Sequence, residues 1–525
     1  MSKKSLVIAI SAHQPYIWHK EDDFLPQNGM LYSAISETYL PLLNMFSNLE
    51  ADGIPFKLMM CFSPSLCALL SDSAVQGAYI EWLDKVIELG EAEIIRYAPD
   101  DMRRALAEEQ LRQAKRDKYD FSETYQQDLL SKFSYYAKKG NIELMATAAT
   151  NCYLPMYVDL PQAVQAQIEV GLMSHRHYFD TAPEGFWLPY MAYTPGLESI
   201  IRPYGFFYTI LDAHGFLFGS PVPMKGIFSP ARCFNSLAVF ARDNAVAAGF
   251  EDNPELYYLK GEYRNQNRDI GFENPLEQLE GFLNKENARL STGYKYWSNE
   301  TDVIYNTAKA LASASADADT FLDMKARKLA QVSEQLDNTD VSSVCCFEAS
   351  FFGQKWYEGI AWLESVFRKA AERDDIELTQ CSELLENKFS LQKITPFNSA
   401  ASGTGYAEDL IDHSNDWMIR YVRKAVERMI DLTARFPSDS GLKERSLNLA
   451  AKEVLLAQSG DWPEMVKKQD FDLYASNRFR ENVGAFTTVY DSLGSNSIST
   501  EWLTNMEREH KIFPWINYRA FSAKR

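Results

Sequence analysis

Histidine is scarce in this chain, and paired cysteine motifs are missing. Seven histidines occur among 525 residues, and the one close pair, His175 and His177, lies in a helical-looking stretch. Positions i and i+2 point apart there, so no metal site is expected. The seven cysteines are odd in number, form no CxxC pair and sit in apolar segments. That excludes a disulfide framework and a cysteine zinc site, and it leads to an expectation of reduced, buried thiols in a cytoplasmic protein. No apolar run approaches the ~20 residues of a membrane span. The apolar stretch Leu6 to Ser11 after MSKK is too short for a signal-peptide core. Basic charge is also in deficit: 53 Lys and Arg face 72 Asp and Glu, a net charge of −19. A surface of that sign disfavours nucleic acid and anionic membranes, whereas a neutral polysaccharide meets no such penalty. Aromatic residues are plentiful at 13%. Most are expected to fill cores, and some can stack on sugar rings.

At this length the chain can bury a large core and is expected to form roughly two to four domains. Short apolar runs alternate with helical patterns through its first part: LVIAISAH (6–13), FKLMMCFSP (56–64), IELMATAAT (142–150), GFWLP (185–189), FFYTILDAHG (206–215) and VSSVCCFEASFFG (341–353). Such alternation predicts parallel strands buried on both faces with helices outside. Residues 101–139 are charged and read as a helical excursion. Residues 217–270, rich in Gly, Pro, Asn and Tyr, read as a small irregular insertion. After the Ser/Gly-rich ITPFNSAASGTGY (394–406) the pattern becomes purely helical. In the segment from Trp417, the residues Tyr421, Val422, Ala425, Met429 and Ile430 recur at helical spacing. Another helix, 442–460, ends at Gly460, a plausible C-cap. Two parts are therefore expected: a barrel-like α/β region over 1–395 and a helical domain over 396–525.

Parallel α/β barrels present their chemistry where strands end. The residues just past the apolar runs are His13 and Gln14, Thr150 and Asn151, Tyr190, Asp212 and His214, Arg242 and Asp243, and Glu348. Each has a plainer reading. A histidine after a strand is commonly structural, Asp212-x-His214 could cap a turn, and Arg242–Asp243 could be a surface pair of small consequence. Their convergence on strand ends is what marks them as candidates.

HQP (13–15), GNIELMATAAT (140–150), GFWLPYMAY (185–193), LDAHG (211–215), VFARD (239–243) and FEASFFGQKW (347–356) resemble, in order and spacing, the motifs of glycoside hydrolase family 57. The likeness is to its 1,4-α-glucan branching enzymes and AmyC-like proteins and runs through nearly the whole chain, including VLLAQSGDW (454–462) and IFPWINYR (512–519). It implies an incomplete (β/α)7 barrel with helical insertions and an all-helical C-terminal domain. It also implies an α-glucan substrate, no cofactor and retaining chemistry. In that chemistry a Glu nucleophile and an Asp acid/base stand about 5–5.5 Å apart across the sugar. Carried over by position, the resemblance places the acid/base at Asp243. It places substrate-binding groups at His13, Gln14, Asn151, Trp187, Asp212, His214, Glu348 and Trp356.

The nucleophile's position, WLPE in the family, reads WLPY here and holds Tyr190. Other departures surround it. Asn151 stands for a histidine, Glu348 for an aspartate, Ser350 for a glutamate, Gln354 for a histidine, Lys355 for a tryptophan, and Ala401-Ser402 for a Trp-Gly pair. A phenol with an ordinary pKa near 10 is neutral at pH 7 and a poor substitute for a carboxylate nucleophile. Three readings stand: an impaired homologue that binds α-glucan, an enzyme working by a modified mechanism through Asp243 or Glu348, and a non-catalytic scaffold or regulator.

Overall fold

The computed structural model describes residues 2–17, 26–243, 253–279, 289–386, 388–495 and 497–524. Its strands are β1 (Lys4–Ala12), β2 (Leu58–Phe62), β3 (Ile142–Thr147), β4 (Gly185–Trp187), β5 (Tyr208–Leu211), β6 (Ala231–Arg232), β7 (Ala238–Ala241), β8 (Val341–Glu348) and β9 (Glu377–Leu378). Two compact units interleave along the chain: Met1–Met59, Leu69–Glu143 and Ala245–Gln380 in the first, and Met60–Ala68, Leu144–Asn244 and Cys381–Arg525 in the second. The chain passes from one unit to the other several times.

In the first unit β1 pairs in parallel with β8 from Lys4 opposite Val341 to Ser11 opposite Glu348, and with β9 on its other register. Leu6 to Ile10 are fully buried, as expected of a strand covered by helices on both faces. The charged excursion folds as the helices Met102–Tyr119 and Leu129–Lys138, beside Ser73–Arg96. Each begins at an aspartate, Asp72, Asp101 or Asp128, whose carboxylate accepts a hydrogen bond from a backbone N–H of the first turn. That removes one unsatisfied donor per helix and opposes the helix dipole.

In the second unit the strands run in the order β3, β4, β5, β7, β6, all parallel except the last. The stretch 217–270 is thus not wholly an irregular insertion: AVFA within it is β7, paired along its length with β5. Residues 244–252 of that stretch lie outside the described residues. The helix Pro161–Phe179 starts with its proline in the first turn and stops at Asp180, which turns left-handed. The C-terminal part is helical throughout, and its central helix, Leu442–Ala457, is buried from Leu449 to Ala457. That helix is capped by Gln458, so Gly460 is not its C-cap and serves another purpose. All seven cysteines are buried, and none is in a disulfide. Among the described residues no helix is long and apolar enough to cross a membrane, and no group of His, Cys, Asp and Glu is arranged to hold a metal.

Candidate active site

Asn151, Trp187, Tyr190, Asp212, His214 and Asp243 belong to the second unit, and of these Asn151 bonds directly to Tyr190. Strand β4 ends at Trp187, Pro189 breaks the ladder, and Tyr190 and Met191 both adopt left-handed backbone, at φ 57° and 48°. Two consecutive non-glycine residues in that region are strained. The loop is held by Ala401, whose N–H donates to the Tyr190 carbonyl at 2.8 Å, and by paired backbone bonds between Tyr193 and Ser399. Ala401 thus braces the loop through its backbone.

The Tyr190 ring packs beside Tyr153 on an apolar cluster of Ala192, Ala400, Ala407 and Leu410. Its hydroxyl donates to Glu464 Oε2 at 3.1 Å and accepts from Asn151 Nδ2 at 2.9 Å. Asn151 Nδ2 also donates to Asp461 Oδ1 at 2.9 Å, and Ser459 Oγ donates to Asp461 Oδ2 at 2.7 Å. Burial of the phenol, then the charges of Glu464 and Asp461, hold its pKa well above the ordinary value. Gly460 closes the back of the site: a Cβ there would lie 2.5 Å from the Tyr190 hydroxyl and 2.9 Å from the Asn151 carbonyl oxygen. Its lack of a side chain is what admits the phenol. Asp461 and Glu464 were not singled out from sequence beyond the SGDW likeness, because their partners lie some 270 to 310 positions away. The acidic residues flanking Trp462 were the available signal.

Asp212 is buried and caps the short helix that follows it, accepting from the His214 N–H at 3.1 Å, with Arg242 Nε at 3.8 Å. The turn-capping role is therefore real. His214 contacts the hydroxyl of Tyr406 through Nε2 at 2.8 Å. Its ring lies among Phe218, Phe397 and Tyr406 at 4.9, 6.2 and 5.1 Å. Those three side chains are 65, 43 and 46% exposed, so the histidine sits in an open aromatic patch. Trp187 is buried at the end of β4, where Thr147 Oγ1 donates to its carbonyl at 2.9 Å. Asp243 is buried and directly follows β7 with Arg242.

The remaining candidates belong to the first unit. His13 and Gln14 follow β1, and the register sets exposed Glu348, the last residue of β8, level with Ser11. Trp356 does not fit the substrate-binding expectation. It is 1% exposed and enclosed by Tyr257, Tyr263, Phe351 and Trp362 at 5.2 to 5.9 Å, so its faces are spent on core packing. Beside it, Gln354 Nε2 donates to Ser33 Oγ at 3.3 Å, and Lys355 Nζ lies 4.5 Å from the Tyr258 ring centre.

Comparison with known proteins agrees with this arrangement at the level of fold and family. Residues 7–296 match the glycosyl hydrolase family 57 model, and residues 421–521 match the C-terminal domain of 1,4-alpha-glucan branching enzymes. The 1,4-alpha-glucan branching enzyme of Thermococcus kodakarensis is 23% identical over 504 residues, covering 91% of this chain and 72% of that protein. The alpha-amylase AmyC of Thermotoga maritima superposes with a TM-score of 0.91 at 29% identity, covering 100% of both chains. The branching enzyme of Pyrococcus horikoshii shares the fold, with a TM-score of 0.86 at 22% identity over 99% of this chain and 97% of its own. The fold is thus the (β/α)7 type with a helical C-terminal region. With its family model spanning more than half of the sequence, the chain belongs to glycosyl hydrolase family 57.

Proposed function

We propose that this protein is a branching-enzyme-like member of its family that binds α-glucan and has lost the retaining glycosyl-transfer reaction. One observation carries the reading: the Tyr190 hydroxyl is a neutral donor held between Asn151 and the carboxylate of Glu464. A phenol needs a base and a route to the phenolate to act as a nucleophile. Here Glu464 is within reach of that proton, but burial first, and then the charges of Glu464 and Asp461, hold the phenol well above its ordinary pKa and so against ionisation. Support for retained binding comes from the open patch of Phe218, Phe397 and Tyr406 around His214, which offers flat apolar faces and a polar edge to sugar rings.

Incubation with amylose, followed by assay of new α-1,6 branches and of reducing ends, tests the catalytic half. The expected result is turnover no greater than the background without protein. Branching or hydrolysis well above it would overturn the reading. Retardation on a glucan-containing native gel tests the other half, with weaker retardation expected for Tyr406→Ala. A protein that migrates freely through the glucan would be a scaffold instead. The modified-mechanism reading draws on Glu348, an exposed carboxylate at a strand end, with Asp243 as the acid. It requires turnover that Glu348→Gln and Asp243→Asn each abolish.

A further inference from the structure

Among the described residues, four of the five most exposed large apolar side chains of the second unit stand close together. Val222, Met224, Phe234 and Phe389 are 69, 80, 67 and 77% exposed. They come from two segments, 217–234 and 389–397, that are tied to each other. Gln392 Nε2 donates to the Val222 carbonyl at 2.9 Å, and Gln392 Oε1 accepts from the Met224 N–H at 2.8 Å. The Arg232 guanidinium donates to the Phe389 carbonyl at 2.9 Å, and Lys393 Nζ lies 5.9 Å from the Phe234 ring centre. Single exposed apolar residues are ordinary on a protein surface, whereas a group of this size marks a contact face.

The charge pattern of the two segments bears on what covers them. LFGSPVPMKGIFSPARCF (217–234) and FSLQKITPF (389–397) hold no Asp or Glu, in a chain that has 72. Two copies of a chain with a net charge of −19 repel over most of their surface. An apolar face free of carboxylates is where they approach at least cost. The area suffices as well. At roughly 200 Å² for a fully exposed large side chain, the four present on the order of 600 Å². An interface of about 800 Å² per partner, some 56–65% of it apolar, needs only about 500 Å² of apolar surface.

Strand addition is not the means of contact. Strand β6 ends the sheet order of the second unit, and its free edge is already bonded. The Arg232 N–H donates to the Gln392 carbonyl, and the Ile394 N–H donates to the Arg232 carbonyl, both at 2.9 Å. Contact through this face is therefore made by side chains. We infer that Val222, Met224, Phe234 and Phe389 form the centre of a two-fold symmetric interface with a second copy of this chain. Apolar groups then meet their own counterparts, as an isologous contact requires. The inference goes beyond the proposed function and does not rest on glucan binding.

The test is sedimentation velocity of the full chain, without glucan, from about 0.5 to about 50 µM. The expected result is a monomer–dimer equilibrium within that range. Met224→Glu and Phe389→Glu, both at exposed positions, should each weaken it at least about tenfold. Leu473→Glu, at a side chain 69% exposed on the helix Asp472–Ser495, should leave it unchanged. Circular dichroism matching the unmodified protein separates loss of contact from loss of fold. A monomer at every concentration would overturn the inference, as would a dimer indifferent to both substitutions or weakened equally by Leu473→Glu. Dissociation in high salt would overturn it too, since screening breaks charge pairs and leaves apolar contacts in place. Retardation on a glucan gel is read separately, so either reading can fail alone.

Discussion

Replacing Tyr190 by glutamate supplies the carboxylate that the family resemblance implies at this position, but the surroundings predict that the new carboxylate will be hard to ionise. The phenol hydroxyl is 3.1 Å from Glu464 Oε2, and a glutamate, being shorter, draws its charge back from that oxygen. At a separation of roughly 5 Å and an effective dielectric of about 20, two carboxylates repel by about 3 kcal/mol. That corresponds to about 2 pH units, which would lift the new group from its usual ~4.3 to between ~6 and ~7. Lys468, paired with Glu464, reduces the repulsion, so this is a ceiling. Any branching activity gained by Tyr190→Glu should therefore rise with pH and be small at pH 5. Adding Glu464→Gln removes the opposing charge while keeping an acceptor, and should raise activity at pH 5 by more than about tenfold relative to Tyr190→Glu alone. The assay is initial rate of α-1,6 branch formation on amylose from pH 5 to 8. If both proteins are active with superimposable pH profiles, Glu464 does not govern the charge at position 190 and the electrostatic argument is wrong.

Three further outcomes follow from buried groups. Burial, with Asp120 and Glu37 nearby, raises the Asp117 carboxyl from 3.8 to about 7. Its folded value lies above the unfolded one, so the penalty for ionising it is absent below pH 4, accumulates between pH 4 and 7, and is constant above. Asp117→Asn should then raise the thermal midpoint at pH 8, by the equivalent of up to ~4 kcal/mol, and give no gain at pH 4; equal gains at both would contradict it. His175, buried beside Phe179 with Thr181 on its Nε2, is held down to about 4. Its neutral form contributes stability that is complete above pH 6.5 and lost as the pH falls toward 4, so His175→Gln should flatten the acid limb of a melting-temperature profile by ~2–3 kcal/mol. An unchanged limb would count against the burial argument. Gly460→Ala should destabilise by about 1–3 kcal/mol through its clash with the Tyr190 hydroxyl, and pairing it with Tyr190→Phe should recover part of that loss in chemical denaturation.

Much of the strand framework could be read from the sequence because burial on both faces leaves a local mark. Strand β1 stops at Ala12 and releases His13, β5 stops at Leu211 and releases Asp212, and β8 carries its apolar run to Glu348. Strand β7 was partly hidden by the Gly- and Asn-rich residues around it, although the VFARD motif pointed to its end. The candidate site was legible only as one half of its contacts. Tyr190 and Asn151 stand on strand ends, whereas Asp461, Glu464 and Gly460 lie at the start of a helix far along the chain. Gly460 looked like a C-cap because a glycine after a helix usually is one, and only the tertiary approach of Tyr190 shows otherwise. Trp356 entered the substrate-binding set through its position in the family resemblance, which carries no record of the rings of Trp362 and Tyr263 that pack against it.

The residues around Tyr190 form a closed sequence of donors and acceptors, and that closure bears on which side chains suit position 190. Asn151 spends its amide on two acceptors, the Tyr190 oxygen and Asp461. Tyr190 passes its one proton to Glu464, and Ser459 donates to the second oxygen of Asp461. A carboxylate at position 190 would still suit Asn151 but would set an acceptor against Glu464, leaving that bond without a proton. Phenylalanine would fill the apolar half of the site, on Ala192, Ala400 and Leu410, and abandon both polar neighbours. Tyrosine satisfies both halves: an aromatic body on the cluster and a hydroxyl that accepts once and donates once. Nucleophilic attack by the phenol would need that proton moved onto Glu464, against the burial that holds the phenol neutral. Chemistry at position 190 would therefore have to be gained against the interactions that now fix the loop.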